Sequence, residues 1–209
     1  MARLCANGVT IFAEVSHGQR EQRSQERDEE AEKGQEVVLF TLETDRLLVR
    51  PWTSADREAF TAFTRDPELM RYVHGGVAYT EEEIDEFLSR QARQLAEHDL
   101  CMGALVERAT NRVVGVAGAQ PLGNDIEIGW WLARDVWRRG HATEIGRAAM
   151  RHVLETLGRE RVIAIIDPGN VRSAAVVNRL GFRCEGRVTG ADLGHRKPEI
   201  VVDLYVKER

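Results

Sequence analysis

Glu127 stands inside Asp125-Ile126-Glu127-Ile128-Gly129-Trp130-Trp131-Leu132, where apolar positions alternate as they do along a half-buried strand. Successive strand side chains point to opposite faces, so this carboxylate lies opposite Ile126 and Ile128, away from the core they mark. A carboxylate placed that way can act as a general base; fixing a loop or selecting a cationic substrate are the other roles open to it. Asp125 is the substitute base, although its place beside Gly123-Asn124 suits a turn. Close downstream, Trp137-Arg138-Arg139-Gly140-His141-Ala142-Thr143-Glu144 opens a helix. The first N–H groups of a helix lack intrahelical partners and carry the positive end of its dipole, so a glycine that admits a phosphate to the backbone makes an anion seat. Arg138 and Arg139 add positive charge at its mouth, although the same residues also suit a plain helix cap with a solvated basic face. His141, within the loop, either touches a bound phosphate or is simply exposed.

A third cluster follows the strand-like Arg161-Val162-Ile163-Ala164-Ile165-Ile166. It is Asp167-Pro168-Gly169-Asn170-Val171-Arg172-Ser173, leading into a short helix that ends at Leu180-Gly181-Phe182. Asn170 and Ser173 are each either helix-start capping residues or polar contacts for a ligand laid across that start. The pair Trp130-Trp131 reads as core and groove wall.

This order of acid-bearing strand, anion loop, buried strand and Asn-x-x-Ser helix resembles the GNAT family of N-acetyltransferases. Trp137 to Ala142 matches the family's Gln/Arg-x-x-Gly-x-Gly/Ala loop, with Trp137 in place of the usual Gln or Arg. Thr44-Asp45-Arg46-Leu47-Leu48-Val49-Arg50 and Glu127 to Leu132 resemble the opening and strand motifs of the RimJ/RimL-like branch, the ribosomal-protein alanine acetyltransferases. The likeness runs from about Leu42 to Val206, and several separated motifs in order are more specific than any one.

The resemblance implies an α/β (α+β) fold with a mixed, mostly antiparallel sheet, splayed between its fourth and fifth strands and flanked by helices. It implies acetyl-CoA as cosubstrate and a primary amine as acceptor, either a protein N-terminus or a small molecule. The pyrophosphate would lie over Trp137, Arg138, Arg139, Gly140, His141, Ala142 and Thr143. The pantetheine arm would enter between the strand ending at Leu132 and the strand ending at Asp167, bonding strand amides near Trp131 and Leu132 on one side and Asn170 on the other. Glu127 would be the base. The tyrosine by which many members protonate the leaving thiolate is Val177 here, so Ser173 inherits that place, by its hydroxyl or through a water. The same substitution keeps open an alternative, a weak or inactive acyl-CoA-binding module of the same fold. A dinucleotide- or nucleotide-binding enzyme is a third class, but the chain lacks Gly-x-x-x-x-Gly-Lys-Ser/Thr and a Gly-x-Gly-x-x-Gly loop after its first strand.

Composition fits these readings. The chain has 209 residues, 43% hydrophobic and 30% charged, with a net charge of −5, which argues against a generally basic nucleic-acid surface. No apolar run approaches the ~20 residues of a membrane helix. Cys5, Cys101 and Cys184 are odd in number and widely spaced, which suits neither a disulfide framework nor a cysteine metal site. No histidines have metal-ligand spacing, so no metal is expected. A cytoplasmic monomer or homodimer without membrane or nucleic-acid partners is the expectation.

The elements divide the chain at about residue 40. Arg20 to Glu36 is nearly all charged or polar, so residues 1–40 read as an N-terminal appendage and 41–209 as the catalytic domain. Within that domain a helix is expected over Asp56 to Phe63, interrupted by Asp66-Pro67. A second begins at a Thr80/Glu83 capping box and carries the stripe Ile84, Phe87, Leu88, Gln91 and Leu95. Together with the loop from Tyr72 to Tyr79 they would lie beside the acceptor groove in the family arrangement. Leu105–Glu107 and Val113–Val116 suit a hairpin. A long helix after Gly140 is expected to stop at Gly158.

Overall fold

In the computed structural model, which describes residues 40–209, eight strands form one sheet in the order β1-β2-β3-β4-β5-β6-β8-β7. They are β1 (Leu42–Glu43), β2 (Leu47–Arg50), β3 (Met102–Glu107), β4 (Arg112–Leu122), β5 (Asp125–Leu132), β6 (Arg161–Ile166), β7 (Arg183–Thr189) and β8 (Val201–Glu208). Neighbours run antiparallel except β5 and β6, which are parallel and share the single pairing Glu127↔Ile163. Beyond it the two strands diverge, between the same two strands that the sequence named. Their ordinals are fifth and sixth rather than fourth and fifth, because the two-residue β1 adds a strand at the edge. The expected boundary at residue 40 falls at the limit of the described residues, and the appendage lies outside them.

Alternation along the strands produces two cores. Ile126 and Ile128 of β5 join Leu105, Val114 and Val162 beneath Ile145, Ala149, Val176 and Val177, the apolar faces of α4 (His141–Arg151) and α5 (Val171–Arg179). On the opposite face Met102 and Val116 pack under Phe60, Phe63, Ile84 and Phe87, from α1 (Arg57–Thr64) and α3 (Glu81–His98), with Leu69 and Met70 of α2 (Pro67–Met70). Burying each such side chain contributes on the order of 1.5–3 kcal/mol. Glu127 therefore faces the α1–α3 side, as its strand alternation requires.

The capping box forms as expected: Thr80 N donates to Glu83 Oε2 at 2.9 Å and Glu83 N to Thr80 Oγ1 at 3.2 Å. Gln91, within the apolar stripe, is buried and accepts the β3 amide of Met102 at 2.7 Å. Other boundaries differ. Asp56 ends a 3₁₀ turn at Ser54–Asp56 and accepts from Arg50 Nη1 at 2.7 Å and from Thr53 N at 2.8 Å, so the first helix proper starts at Arg57. Asp66-Pro67 both ends that helix and starts α2, with Asp66 Oδ1 accepting from Glu68 N at 2.9 Å. The helix after Gly140 is not α-helical throughout. It passes at His152 into a π-helical turn reaching Thr156, with Leu157 N bonded to His152 O at 2.9 Å, before Gly158 at φ 62°.

Candidate active site

A cleft of about 470 Å³ opens where β5 and β6 diverge. Its walls gather Trp131, Leu132, Trp137, Arg138, Gly140, His141, Ala142, Thr143, Asn170 and Ser173, nearly the whole set expected from sequence. Arg139 and Glu127 are not among them.

Gly140 is the hinge of the anion loop. It caps α4 at φ 83°, and Arg138 is also left-handed at φ 62°, a conformation unusual outside glycine. The first intrahelical bond of the turn is Glu144 N to Gly140 O at 3.0 Å, so the amides of His141, Ala142 and Thr143 precede the helix's own ladder. These amides and the dipole suit a phosphate, and Arg138 lines the same opening.

Arg139 turns outward. Its Nη1 is 3.9 Å from Glu107 Oε1, and its carbonyl accepts from Arg46 Nη1 at 2.9 Å. His141 is neither exposed nor placed for its ring to hold phosphate. The side chain is 3% exposed, with Nε2 3.6 Å from Glu107 Oε1 and neither ring nitrogen hydrogen-bonded. Burial, reinforced by nearby Arg46, pulls its pKa below the usual histidine value and favours the neutral ring. What His141 can offer an anion is its backbone N–H.

The inner wall is the free edge of β5. Ala133 N donates to Val114 O at 2.8 Å, and the Trp131 carbonyl crowds Gly115 of β4. Ladder groups alternate in direction, so the amides of Trp130 and Leu132 face the gap while that of Trp131 faces β4. The Leu132 carbonyl accepts from Trp137 Nε1 at 2.6 Å, which ties the loop to the strand. Trp131 instead contributes its side chain, whose ring lies 5.5 Å from that of Phe87. Gly146 lets α4 close on β5: a Cβ there would come within 3.0 Å of Trp130 Cζ3.

Across the gap Asn170 caps α5, its Oδ1 accepting from Ser173 N at 3.1 Å. Capping and a place in the cleft wall thus coexist at both residues. Val177 is fully buried in the core, one turn beyond Ser173.

Glu127 lies on the other face of β5, four residues before Trp131 on the side where α1 and α3 pack. It is 8% exposed and Oε2 accepts from Gln120 Nε2 of β4 at 2.8 Å. Burial raises its pKa from 4.5 to about 7, against the opposing effect of the Gln120 bond. Asp125, the substitute base, is held by Arg161 Nε and Nη2, each at 2.7 Å, as an ion pair bridging β5 and β6. That engagement leaves Glu127 as the carboxylate poised to exchange a proton near neutrality.

Three contributors stand outside the expected site set, although Tyr72 opens the loop expected beside the acceptor groove. Arg172 places its guanidinium 4.7 Å from the Trp137 ring, and Tyr72 lines the cleft with its ring edge against Gly169. Gln120 could have been suspected as a polar residue interrupting an otherwise apolar strand. Among the described residues no cluster of three or more His, Cys, Asp or Glu could hold a metal.

Residues 46–183 match the family model described as an acetyltransferase (GNAT) domain. The chain is 28% identical over 145 residues, 68% of its length and 82% of the relative's, to the uncharacterized N-acetyltransferase YnaD of Bacillus subtilis (strain 168). Its fold is similar to a solved acetyltransferase from Agrobacterium tumefaciens str. C58, with TM-score 0.69, 25% identity, and 82% and 95% of the two chains covered. It is also similar to RimL, a ribosomal L7/L12 alpha-N-protein acetyltransferase solved with coenzyme A, with TM-score 0.66, 17% identity, and 81% and 98% covered. A cleft at the divergence of two parallel strands, beneath a match that spans most of the described residues, leads to one conclusion: this chain belongs to the GNAT family of acetyltransferases.

Proposed function

We propose that the chain transfers the acetyl group of acetyl-CoA to a primary amine by direct attack on the thioester. The observation that carries this reading is the position of Glu127 at the one pairing of β5 with β6, the point from which the cleft opens. The acyl donor would enter from the α4 side and the acceptor from the α3 side. That RimL was solved with coenzyme A supports the donor assignment.

The residues divide the work. Backbone amides at His141 to Thr143, with Arg138, would hold the pyrophosphate; the β5 edge at Leu132 and the Asn170–Ser173 turn would flank the pantetheine arm. The amine nitrogen bonds to the carbonyl carbon as its proton passes to Glu127, directly or through a water. The C–S bond then breaks, and the thiolate leaves as a thiol on taking a proton from Ser173 Oγ or from a water that Ser173 holds; solvent water restores that donor's proton as Glu127 releases its own to solvent. A carboxylate with a pKa of about 7 is matched to this task at neutral pH. Protein N-termini and small amines remain the acceptor classes, and a cytoplasmic setting suits both.

Release of free thiol from acetyl-CoA across N-terminal peptides and small amines tests the reading, alongside coenzyme binding by Gly140→Asp. The φ of 83° strains any side chain there, and aspartate adds repulsion at the phosphate seat. Folded Gly140→Asp should bind acetyl-CoA at least about tenfold more weakly, a loss of about 1.4 kcal/mol. Equal dissociation constants would remove the phosphate seat, and coenzyme binding without turnover of any amine would favour a binding module.

A further inference from the structure

Gly169 lacks a side chain for a reason of space. Its φ is not left-handed, so no backbone conformation demands a glycine, but a Cβ there would meet Tyr72 Cε1 at 3.1 Å and Asp167 Oδ1 at 3.2 Å. Tyr72 lines the cleft, and Gly169 immediately precedes Asn170 on the opposite wall. The two belong to opposite banks of the β5–β6 gap. Tyr72 follows α2, whose Leu69 and Met70 join Val73 on the Met102–Val116 core of the α1–α3 face, whereas Gly169 lies in the turn from β6 into α5. The ring therefore crosses the opening on the α1–α3 face, beyond the single pairing of Glu127 with Ile163.

Both banks are anchored. Asp167 Oδ1 accepts from Gly169 N at 2.8 Å and Asp167 O from Asn170 N at 2.8 Å, which shapes the turn beneath the ring. On the other bank Val73 N donates to Met70 O at 2.9 Å. His74, left-handed at φ 53°, stacks on Tyr79 with ring centroids 4.1 Å apart, and its Nε2 lies 3.0 Å from Glu83 Oε1 of α3. The side chain of Tyr72 is itself held by ring contacts: the Arg71 guanidinium lies 5.4 Å from its centre, and among the described residues its hydroxyl has no hydrogen-bond partner. A cleft of about 470 Å³ remains with the ring in place, so Tyr72 walls the slot without filling it.

On the reading of this chain as an acetyl-CoA-dependent transferase, we propose that Tyr72 is a positioning residue whose ring roofs the pantetheine slot on the acceptor face. The ring holds the arm against the β5 edge at Leu132 and the Asn170–Ser173 turn, and it keeps bulk water off the arm. Gly169 is the complementary half of the contact, because its missing Cβ lets the ring close over the slot. The ring does this work, and the hydroxyl takes no part.

The test uses the full chain, with coenzyme A binding read by calorimetry and acetyl-CoA turnover read by thiol release. Tyr72→Ala should weaken coenzyme A binding about tenfold and raise the KM for acetyl-CoA by a similar factor, with kcat changed less, since the loss is one of ground-state binding. Tyr72→Phe, which keeps the ring, should retain both values. Gly169→Ala should displace the ring and weaken coenzyme A binding about threefold, and it should add nothing in the Tyr72→Ala background. The same variant tests the roof by itself if Tyr72→Ala fails to fold. Dissociation constants equal to wild type in the folded single variants, additive losses in the double variant, or a loss in Tyr72→Phe as large as in Tyr72→Ala would each overturn the roof. Coenzyme A binding that follows the expected pattern, with no acetylation of any amine, would uphold the roof and overturn the transferase reading.

Discussion

Burying the carboxylate of Glu127, the proposed base, has a cost in stability that depends on pH. Its folded pKa of about 7 lies above the 4.5 of an exposed glutamate, so its contribution to stability is complete below about pH 4.5 and is lost as pH rises toward 7. The shift corresponds to at most about 3 kcal/mol. Glu127→Gln, which keeps the shape and lets Gln120 turn its amide over to bond the new side chain, should escape that loss. Urea unfolding at pH 5 and pH 8 should show the variant gaining on wild type by up to about 3 kcal/mol at the higher pH. An identical pH dependence in the two proteins would mean that the carboxylate is hydrated and its pKa ordinary. Strand alternation alone foretold which way Glu127 points. Its partner was not foretold, because Gln120 meets it through the pairing of β4 with β5, which no local pattern in β5 encodes.

At the scale of elements, the anion loop is held from outside. Thr44 Oγ1 donates to Glu144 Oε1 at 2.6 Å, Arg46 Nε donates to Glu144 Oε2 at 2.7 Å, and Arg46 Nη1 donates to the Arg139 carbonyl at 2.9 Å. Burial pushes the Glu144 carboxyl upward, but these bonds from Thr44 and Arg46 carry its pKa below the usual glutamate value. The turn between β1 and β2 thus fixes the first turn of α4, and with it the amides that precede the helix's own ladder. The Thr-x-Arg pattern was legible as a family signature, whereas its task was not, since a contact spanning nearly a hundred residues leaves no local trace. The same limit explains His141: its place in the loop is visible in sequence, but its burial against Glu107 depends on β3. Helix starts, caps and stripes were readable because propensity and spacing decide them locally. The π-helical turn at His152–Thr156 was not, because a continuous apolar stripe is compatible with either hydrogen-bond pattern. We expect Arg46→Gln to weaken acetyl-CoA binding about tenfold while leaving the protein folded, measured by titration at fixed ionic strength. An unchanged dissociation constant would show that the loop holds its shape without the clamp.

For the whole molecule, the divergence of β5 from β6 divides the labour between the two faces of the sheet. The α4–α5 face offers backbone donors, arginines and an apolar slot, while the α1–α3 face offers a buried carboxylate and an aromatic floor. On the proposed function, donor and acceptor would meet through the sheet's own opening, with Glu127 at the pairing where the strands part. The separation predicts that removing the basicity of Glu127 affects turnover without affecting the donor side. The most direct measurement is the pH dependence of turnover for wild type and Glu127→Gln at saturating acetyl-CoA, together with the coenzyme dissociation constant of each. Wild-type turnover should rise through about pH 7, and the variant should lose about 10²–10⁴-fold with its coenzyme affinity little changed. Near-wild-type turnover by the folded variant, following the same pH profile, would contradict the assignment of Glu127 as the base.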